Sequence, residues 1–182
     1  SIMKNLFVIT LRILMLLVFI ASCGLGYVIY EDTLTAWWIP VGMALLIALA
    51  TIPFYKKWIW LTTMDDKVIN CLCHLACIGA ISYVLFLGGN YWFADPASTH
   101  EETVMVQKKY VETHKKTRRV GRHRYVSDGI RKEYYLQVAF ENGAVEELHV
   151  SLSTYNKTKA GAPKILTLQK GFFGLPVITK GL

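Results

Sequence analysis

The hydrophobic residues of this chain follow two patterns, which change near residue 94. Before that point they form three long runs, at about 6–30, 37–55 and 68–93. Each run reaches the ~18–20 residues that cross the apolar core of a bilayer as a helix. After residue 94 apolar residues alternate with polar ones, as in β-strands. The pattern predicts a membrane domain of three transmembrane helices, residues 1–94, and a β-domain, residues 95–182.

The alternation in the second half predicts about five short strands. The clearest pair flanks Asn142-Gly143, a dipeptide preferred in hairpin turns because both positions tolerate positive φ. A polar stretch, Ser153–Gly161, predicts a short helix or turn. Five short strands in about 80 residues are typical of a small antiparallel β-barrel or sandwich, so the expected fold class is an α+β membrane protein. The predicted strands are Val104–Tyr110, Glu133–Phe140, Val145–Leu152, Lys164–Gln169 and Phe172–Thr179.

All five tryptophans lie at the ends of the apolar runs. Indole prefers the headgroup region of a bilayer, where the ring lies in an apolar zone and its N–H reaches water. Three core helices of a soluble protein would not segregate tryptophan in this way. We therefore interpret these residues as membrane-interface anchors: Trp37, Trp38, Trp58, Trp60 and Trp92.

The charges beside the apolar runs predict an orientation. Lys4 and Arg12 lie at the start of the first run, and Glu31-Asp32 follow it without a basic residue. Basic residues return before the third run, at Lys56, Lys57 and Lys67. Because cytoplasmic loops carry an excess of Lys and Arg, we expect an integral protein of a bacterial inner membrane. Its N-terminus would be cytoplasmic and its β-domain periplasmic or extracellular.

Two features of the first run have alternative interpretations. Ile20–Cys23 loosely resembles a lipoprotein signal in which Cys23 would be acylated. Residues 24–30 stay apolar, whereas a lipoprotein normally turns polar after its cysteine, so a transmembrane helix is favoured. Arg12 either snorkels to the inner interface or pairs with an acidic group of another subunit.

The second half holds fifteen Lys and Arg against nine Asp and Glu, so it carries most of the net charge of +7. Six of these cations lie within His114–Arg124, and they are the candidate partner-binding residues: Lys115, Lys116, Arg118, Arg119, Arg122 and Arg124. An acidic protein partner or anionic lipid headgroups would be attracted. A solvated hairpin loop without a specific role is the alternative. Nucleic acid is disfavoured on the outer side of a membrane.

A second cluster lies at the start of the third run, where Cys71, Cys73, His74 and Cys77 share roughly one helix face. Thiolates and imidazole bind zinc, copper or iron. One straight helix cannot surround a tetrahedral ion, and cysteines are ordinary in membrane helix contacts. We therefore expect no metal and no cofactor here.

Catalytic motifs are not visible in the sequence. It has no glycine-rich phosphate loop, no nucleophile elbow and no His-Glu-x-x-His. An enzyme would have to use, as acid–base groups, one or more of His100, His114, His123 and His149.

Residues 100–180 combine a basic stretch with turn glycines and aromatic residues. These include Tyr134-Tyr135-Leu136, Asn142-Gly143, Tyr155, Gly161 and Gly171-Phe172-Phe173-Gly174. Together with the preceding apolar runs, they resemble uncharacterised bacterial membrane proteins that end in a small β-domain. The resemblance implies a fold and no activity.

These features favour a non-enzymatic, membrane-anchored interaction protein whose outer basic β-domain binds a protein partner. A toxin-immunity protein is one specific version. The first alternative is an accessory or assembly subunit of a larger membrane complex, which would pack through Gly24, Gly26, Ser82 and His74. The second is a membrane-bound enzyme of unknown reaction.

Overall fold

The computed structural model describes all residues, Ser1–Leu182, and they form two compact units. The first unit contains Ser1–Pro96 and Lys170–Val177. The second contains Ala97–Gln169 and Ile178–Leu182. Helices come first along the chain and a five-stranded antiparallel open sheet follows them, so the protein is α+β.

The first unit is built from helices α1 (Ile2–Glu31), α2 (Trp38–Ala50), α3 (Ile59–Thr62) and α4 (Lys67–Trp92), with a 3₁₀ helix (Ile52–Trp58) between α2 and α3. α1 and α4 are each long and apolar enough to cross a membrane. α2 and the helical turns that follow it pass the same test only as one bent pair. The chain therefore holds two helices of spanning length, or three if the bent pair counts as one.

The bent pair corrects the predicted continuous helix over 37–55. The chain turns by 77° between Trp38–Ala50 and Ile52–Thr62. α2 alone has 13 residues, which is roughly 20 Å at 1.5 Å per residue, shorter than a bilayer core of ~30 Å. Pro53 explains part of the break, because it lacks the N–H that would continue the helix and its ring crowds the carbonyl four residues earlier.

Side-chain contacts give the directions of the long helices. Met15 lines the same cavity as Ile78, and eleven residues later Gly26 lies against the ring of Tyr83, 2.6 Å from the Cβ that another residue would have. Positions advance together along both helices, so α1 and α4 are parallel. Ala48, near the end of α2, contacts His74 near the start of α4, so α2 runs the opposite way.

The second unit is organised by the strands β1 (Asp95–Arg119), β2 (Tyr125–Ala139), β3 (Val145–Val150), β4 (Pro163–Lys170) and β5 (Pro176–Lys180), with helix α5 (Leu152–Lys157) between β3 and β4. The strand order is β3-β2-β1-β4-β5. The core side chains alternate along the strands, as expected for one buried face. They are Val104, Val106, Leu136, Val138, Leu148, Val150, Leu166 and Leu168.

The predicted barrel or sandwich is wrong, because the sheet is open and β3 and β5 lie at opposite edges. The short helix α5 contacts this sheet at β1 and β2. Tyr155 of α5 packs on Tyr134 with ring centroids 5.1 Å apart, and Lys109 donates to the carbonyls of Tyr155 and Thr158 at 2.8 and 2.9 Å.

The predicted hairpin at Asn142-Gly143 is confirmed. β2 and β3 pair in register from Tyr134 opposite Val150 to Ala139 opposite Val145. Gly143 has φ +84°, and the Asn142 side-chain oxygen accepts from the Ala144 N–H at 2.9 Å. The fifth strand begins later than predicted, at Pro176, because residues 171–175 form a turn.

Candidate functional site

The hairpin of β1 and β2 extends past the rest of the sheet. The backbone bonds between β1 and the chain entering β4 reach Val106, which contacts Gly161 and Ala162. The β2–β3 pairing ends at Tyr134. Beyond these points β1 and β2 pair with each other, and every residue from 111 to 132 is exposed. We call residues 111–132 the basic ribbon.

A bulge changes which side chains face the core where β1 leaves the sheet. Val106 pairs with Val138 and Lys108 with Gln137, so Gln107 is an extra residue in β1. Lys109 is therefore opposite the buried Leu136 and reaches α5. Lys108 and Tyr110 therefore do not continue the face of Val104 and Val106, because an extra residue inverts the alternation.

A second bulge lies within the ribbon itself. Lys115 pairs with Ile130, whereas Thr117 pairs with Ser127, so β2 carries an extra residue around Asp128-Gly129. Gly129 has φ +99°, a conformation that residues with a Cβ rarely adopt. Bulges of this kind increase the local twist of a hairpin.

The tip of the ribbon is a short turn from Val120 to Arg124, closed by a bond from the Val120 N–H to the Arg124 carbonyl at 2.9 Å. The Arg119 guanidinium donates to the carbonyls of Gly121 and Arg122, at 3.0 and 2.8 Å. Arg119 therefore shapes the turn, a role that differs from that of the other candidate cations.

The remaining predicted partner-binding cations are free of such bonds. Their side chains are exposed, and none forms a hydrogen bond or ion pair with the protein: Lys115, Lys116, Arg118, Arg122 and Arg124. Cross-strand pairing adds Arg131 and Lys132, which sequence reasoning missed because it considered the cluster within one segment. The ribbon as a whole has eight Lys and Arg against two Asp and Glu.

Exposed apolar side chains are interleaved with these charges. Val120 is 55% exposed, Tyr125 66% and Ile130 58%, and Val126 lies directly opposite Arg118. Arginine beside exposed tyrosine is a combination enriched in protein–protein interfaces.

The base of the ribbon is held by a polar and aromatic cluster. Tyr110 stacks on Tyr135 with centroids 5.3 Å apart, and Tyr135 packs against His149 at 5.1 Å. Burial, followed by a hydrogen bond with Glu147, raises the pKa of Tyr110 to about 12. The hydroxyl of Tyr135 donates to Glu133 at 3.0 Å. That bond, with the nearby Arg131 charge, lowers the pKa of Glu133.

The cluster also contains three groups that could hold a metal ion. The ligand atoms of Glu112, His114 and Glu133 all lie within 4.8 Å of one another, because Glu112 and Glu133 are direct cross-strand partners. The carboxylate of Glu133 is already engaged by Tyr135 and, at 3.0 Å, by Arg131. We therefore read this group as a set of contacts that stabilises the ribbon base.

His74 of the cysteine–histidine cluster in α4 has hydrogen-bond partners at both ring nitrogens. The indole N–H of Trp58 donates to Nδ1 of His74 at 3.0 Å. Nε2 of the same ring lies 2.9 Å from the Thr51 hydroxyl and 3.1 Å from the Ala48 carbonyl. Because Nδ1 accepts, the neutral ring carries its proton on Nε2, and neither nitrogen remains for an ion with Cys71, Cys73 or Cys77.

The tryptophans divide between exposed and engaged positions. Trp37, Trp38 and Trp92 are each at least 60% exposed, as an interfacial anchor requires. Trp58 is half-buried against His74. The backbone carbonyl of Trp60 accepts from Nε of Arg12 at 2.9 Å, so Arg12 has a partner within its own unit.

The histidines considered for acid–base chemistry have local contacts. His100 lies beside the Ser98 carbonyl and Glu102, which raise its pKa. His123 is exposed in the ribbon tip, and His114 and His149 belong to the ribbon base.

Comparison of the chain with protein families, curated proteins and solved structures finds no match.

Proposed function

We propose that this protein is a membrane-anchored interaction protein whose basic ribbon binds an acidic surface of a protein partner. The observation that carries the proposal is the exposure of all residues from 111 to 132 on a hairpin with eight Lys and Arg. At ~3.4 Å per residue, the nine residues from Val111 to Arg119 extend roughly 30 Å. A two-stranded ribbon without a core of its own is marginally stable in water, which favours a role completed by a partner.

Membrane insertion is supported by the surfaces of α1 and α4. Large apolar side chains are exposed along α1, including Leu17 at 55%, and Leu85 of α4 is 65% exposed. Lipid would cover these side chains. The parallel directions of α1 and α4 also require the chain between them to return across the bilayer. This requirement favours the bent pair as a third crossing.

The arrangement of charges supports the orientation. The contact of Arg12 with the Trp60 carbonyl brings the start of α1 to the segment that carries Lys56 and Lys57. Glu31 and Asp32 lie at the opposite end of α1. Basic residues thus collect at one end of this unit, which the positive-inside rule assigns to the cytoplasm. One crossing by α4 then brings the second unit to the outer side.

A protein partner fits the ribbon better than lipid headgroups alone. Arginine forms forked contacts with carboxylates, and five of the eight cations are arginine. Exposed Tyr125, Val126 and Ile130 add apolar area between the charges. Complementary charge would speed association and fix the register of the partner.

The direct test is site-specific photo-crosslinking from the ribbon in intact cells. A benzophenone amino acid at Tyr125 should form an adduct with one partner, which mass spectrometry identifies. Charge reversal at Arg118, Arg122 and Arg124, with Arg119 kept to preserve the turn, should lower the adduct yield about tenfold or more. The matched control reverses three exposed lysines outside the ribbon, Lys157, Lys159 and Lys180.

The identity of the cross-linked partner then distinguishes an immunity protein from an accessory subunit. A secreted toxin would support an immunity protein, and a subunit of a membrane complex would support an accessory role. Equal adduct yields from the two charge-reversed variants would exclude the ribbon as the interface. Adducts with phospholipid alone would replace the protein partner with the membrane surface.

A further inference from the structure

The segment Lys170–Val177 follows β4 in sequence but belongs to the helical unit. Its turn is fixed to the end of α4 by Asn90, which is fully buried. The Asn90 backbone carbonyl accepts from the Phe172 N–H at 3.1 Å, and its side-chain oxygen accepts from the Phe173 N–H at 3.0 Å. Its amide group donates to the Leu175 carbonyl at 3.0 Å. Asn90 thus binds three backbone groups of the turn, two of them through its side chain.

The structure explains why two positions of this turn, Gly171 and Gly174, are glycine. A Cβ on Gly171 would overlap both the Asn90 amide and the Leu175 carbonyl. Gly174 has φ +85°, and its N–H donates to the Gly171 carbonyl at 2.9 Å. These contacts define the backbone conformation of the turn and the positions of its two central side chains.

Those two side chains are phenylalanines, and both are exposed, Phe172 by 65% and Phe173 by 51%. Phe173 stacks on Phe86 of α4 with centroids 4.9 Å apart. Phe172 meets the edge of Phe93, which is itself 71% exposed. We call Phe93, Phe172 and Phe173 the aromatic patch.

Water is an unfavourable environment for this patch, because exposed phenylalanine loses the free energy of apolar burial. Residues 171–177 contain no charged side chain. The patch is continuous, through Phe86, with the apolar surface of α4, on which Leu85 and Trp92 are exposed. Aromatic residues of this kind collect where acyl chains meet headgroups.

We propose that Phe172 and Phe173 insert into the outer boundary of the bilayer, so that the Gly171–Gly174 turn is a second lipid-contacting element beside the helices. The inference rests on the proposed membrane insertion of α1 and α4. It adds a lipid contact from a segment that follows β4 in sequence. The occupant is phospholipid, because the patch continues a lipid-facing surface.

The experiment places trifluoromethyl-phenylalanine singly at 172, 173 and Leu17 of the full chain in phosphatidylethanolamine–phosphatidylglycerol nanodiscs. Fluorine relaxation is measured with dissolved oxygen, which concentrates in lipid, and with a nickel chelate, which stays in water. The free amino acid in buffer gives the water value. Positions 172 and 173 should be shielded from nickel at least fivefold relative to that value, with oxygen relaxation approaching that at 17.

Nickel relaxation at 172 and 173 equal to the water value, with position 17 shielded, would overturn this inference and leave membrane insertion intact. Nickel relaxation at position 17 equal to the water value would overturn membrane insertion and this inference with it. Shielding of positions 172 and 173 from nickel, with oxygen relaxation far below that at position 17, would overturn lipid contact and assign the patch to a protein surface such as a second copy.

Discussion

His74 shows how one buried residue can hold a bend in a helical unit. Its ring is 2% exposed and connects α2, the 3₁₀ helix and α4 through Ala48, Thr51 and Trp58. We predict that His74→Ala lowers the free energy of unfolding by about 2 kcal/mol or more, because it leaves the Trp58 indole N–H without its acceptor and opens a cavity. The thermal midpoint in detergent measures this. His100→Ala, at an exposed site, is the control, and equal midpoints for both variants would contradict the role of His74.

Glu133 gives the ribbon base a pH dependence with a defined sign. Tyr135, Arg131 and His114 favour its ionised form and lower its pKa from the ordinary 4.5. Because the pKa of Glu133 is lower in the folded state than in the unfolded state, its ionisation stabilises the folded state at a pH above the unfolded pKa. This contribution to the free energy of unfolding is lost as the pH falls below about 4.5. We expect amide exchange of the ribbon, corrected for intrinsic rates, to accelerate below pH 4.5. The same dependence in Glu133→Gln would refute this assignment.

At the scale of the element, the second bulge determines the path of the ribbon. Gly129 has φ +99°, and a Cβ there costs roughly 1–2 kcal/mol in backbone strain. Gly129→Ala should therefore accelerate amide exchange between Thr117 and Ile130 while leaving the β2–β3 hairpin unchanged. Gly121 has an ordinary backbone and open space around its Cβ position, so Gly121→Ala is the matched control. Indistinguishable exchange in the two variants would rule out the bulge as the constraint.

The sequence correctly predicted those elements whose conformation depends on their own residues. Asn142-Gly143 predicted the hairpin, and alternation predicted Leu136, Val138, Leu148 and Val150 in the core. The open sheet was not predictable in this way, because strand order depends on contacts between residues distant in sequence, such as the pairing of β1 with both β2 and β4. The Gln107 bulge has no local signature, so the inverted faces beyond it were missed.

The bend after α2 depends on contacts distant in sequence, which hydropathy does not report. Pro53 weakens the helix locally, but the side chains that hydrogen-bond to the bent segment, His74 and Asn70, lie in α4. The Glu112–Glu133 pair is similarly set by cross-strand register. The sequence therefore predicted the cations of the ribbon and not the cluster that supports them.

For the whole molecule, helix direction and loop charge lead to the same membrane topology. If α1 and α4 both cross the bilayer, as we propose, their parallel directions require the residues between them to return across it once. With basic residues at the start of α1 and before α4, positions 36 and 153 should face outward and position 65 inward. If positions 36 and 65 shared a side, the bent pair would be a re-entrant loop, and α1 and α4 would not both cross the bilayer in the same direction.

Cysteine labelling in intact cells tests this topology. We expect an impermeant maleimide to label Ala36→Cys and Ser153→Cys at once, and Asp65→Cys only after the membrane is permeabilised, because each of these positions is exposed and outside the helices of spanning length. The unmodified chain, with Cys23, Cys71, Cys73 and Cys77, gives the background. Labelling of position 65 alone would reverse the orientation but keep three crossings. Equal labelling of positions 36 and 65 would make the bent pair re-entrant and would contradict parallel crossings by α1 and α4.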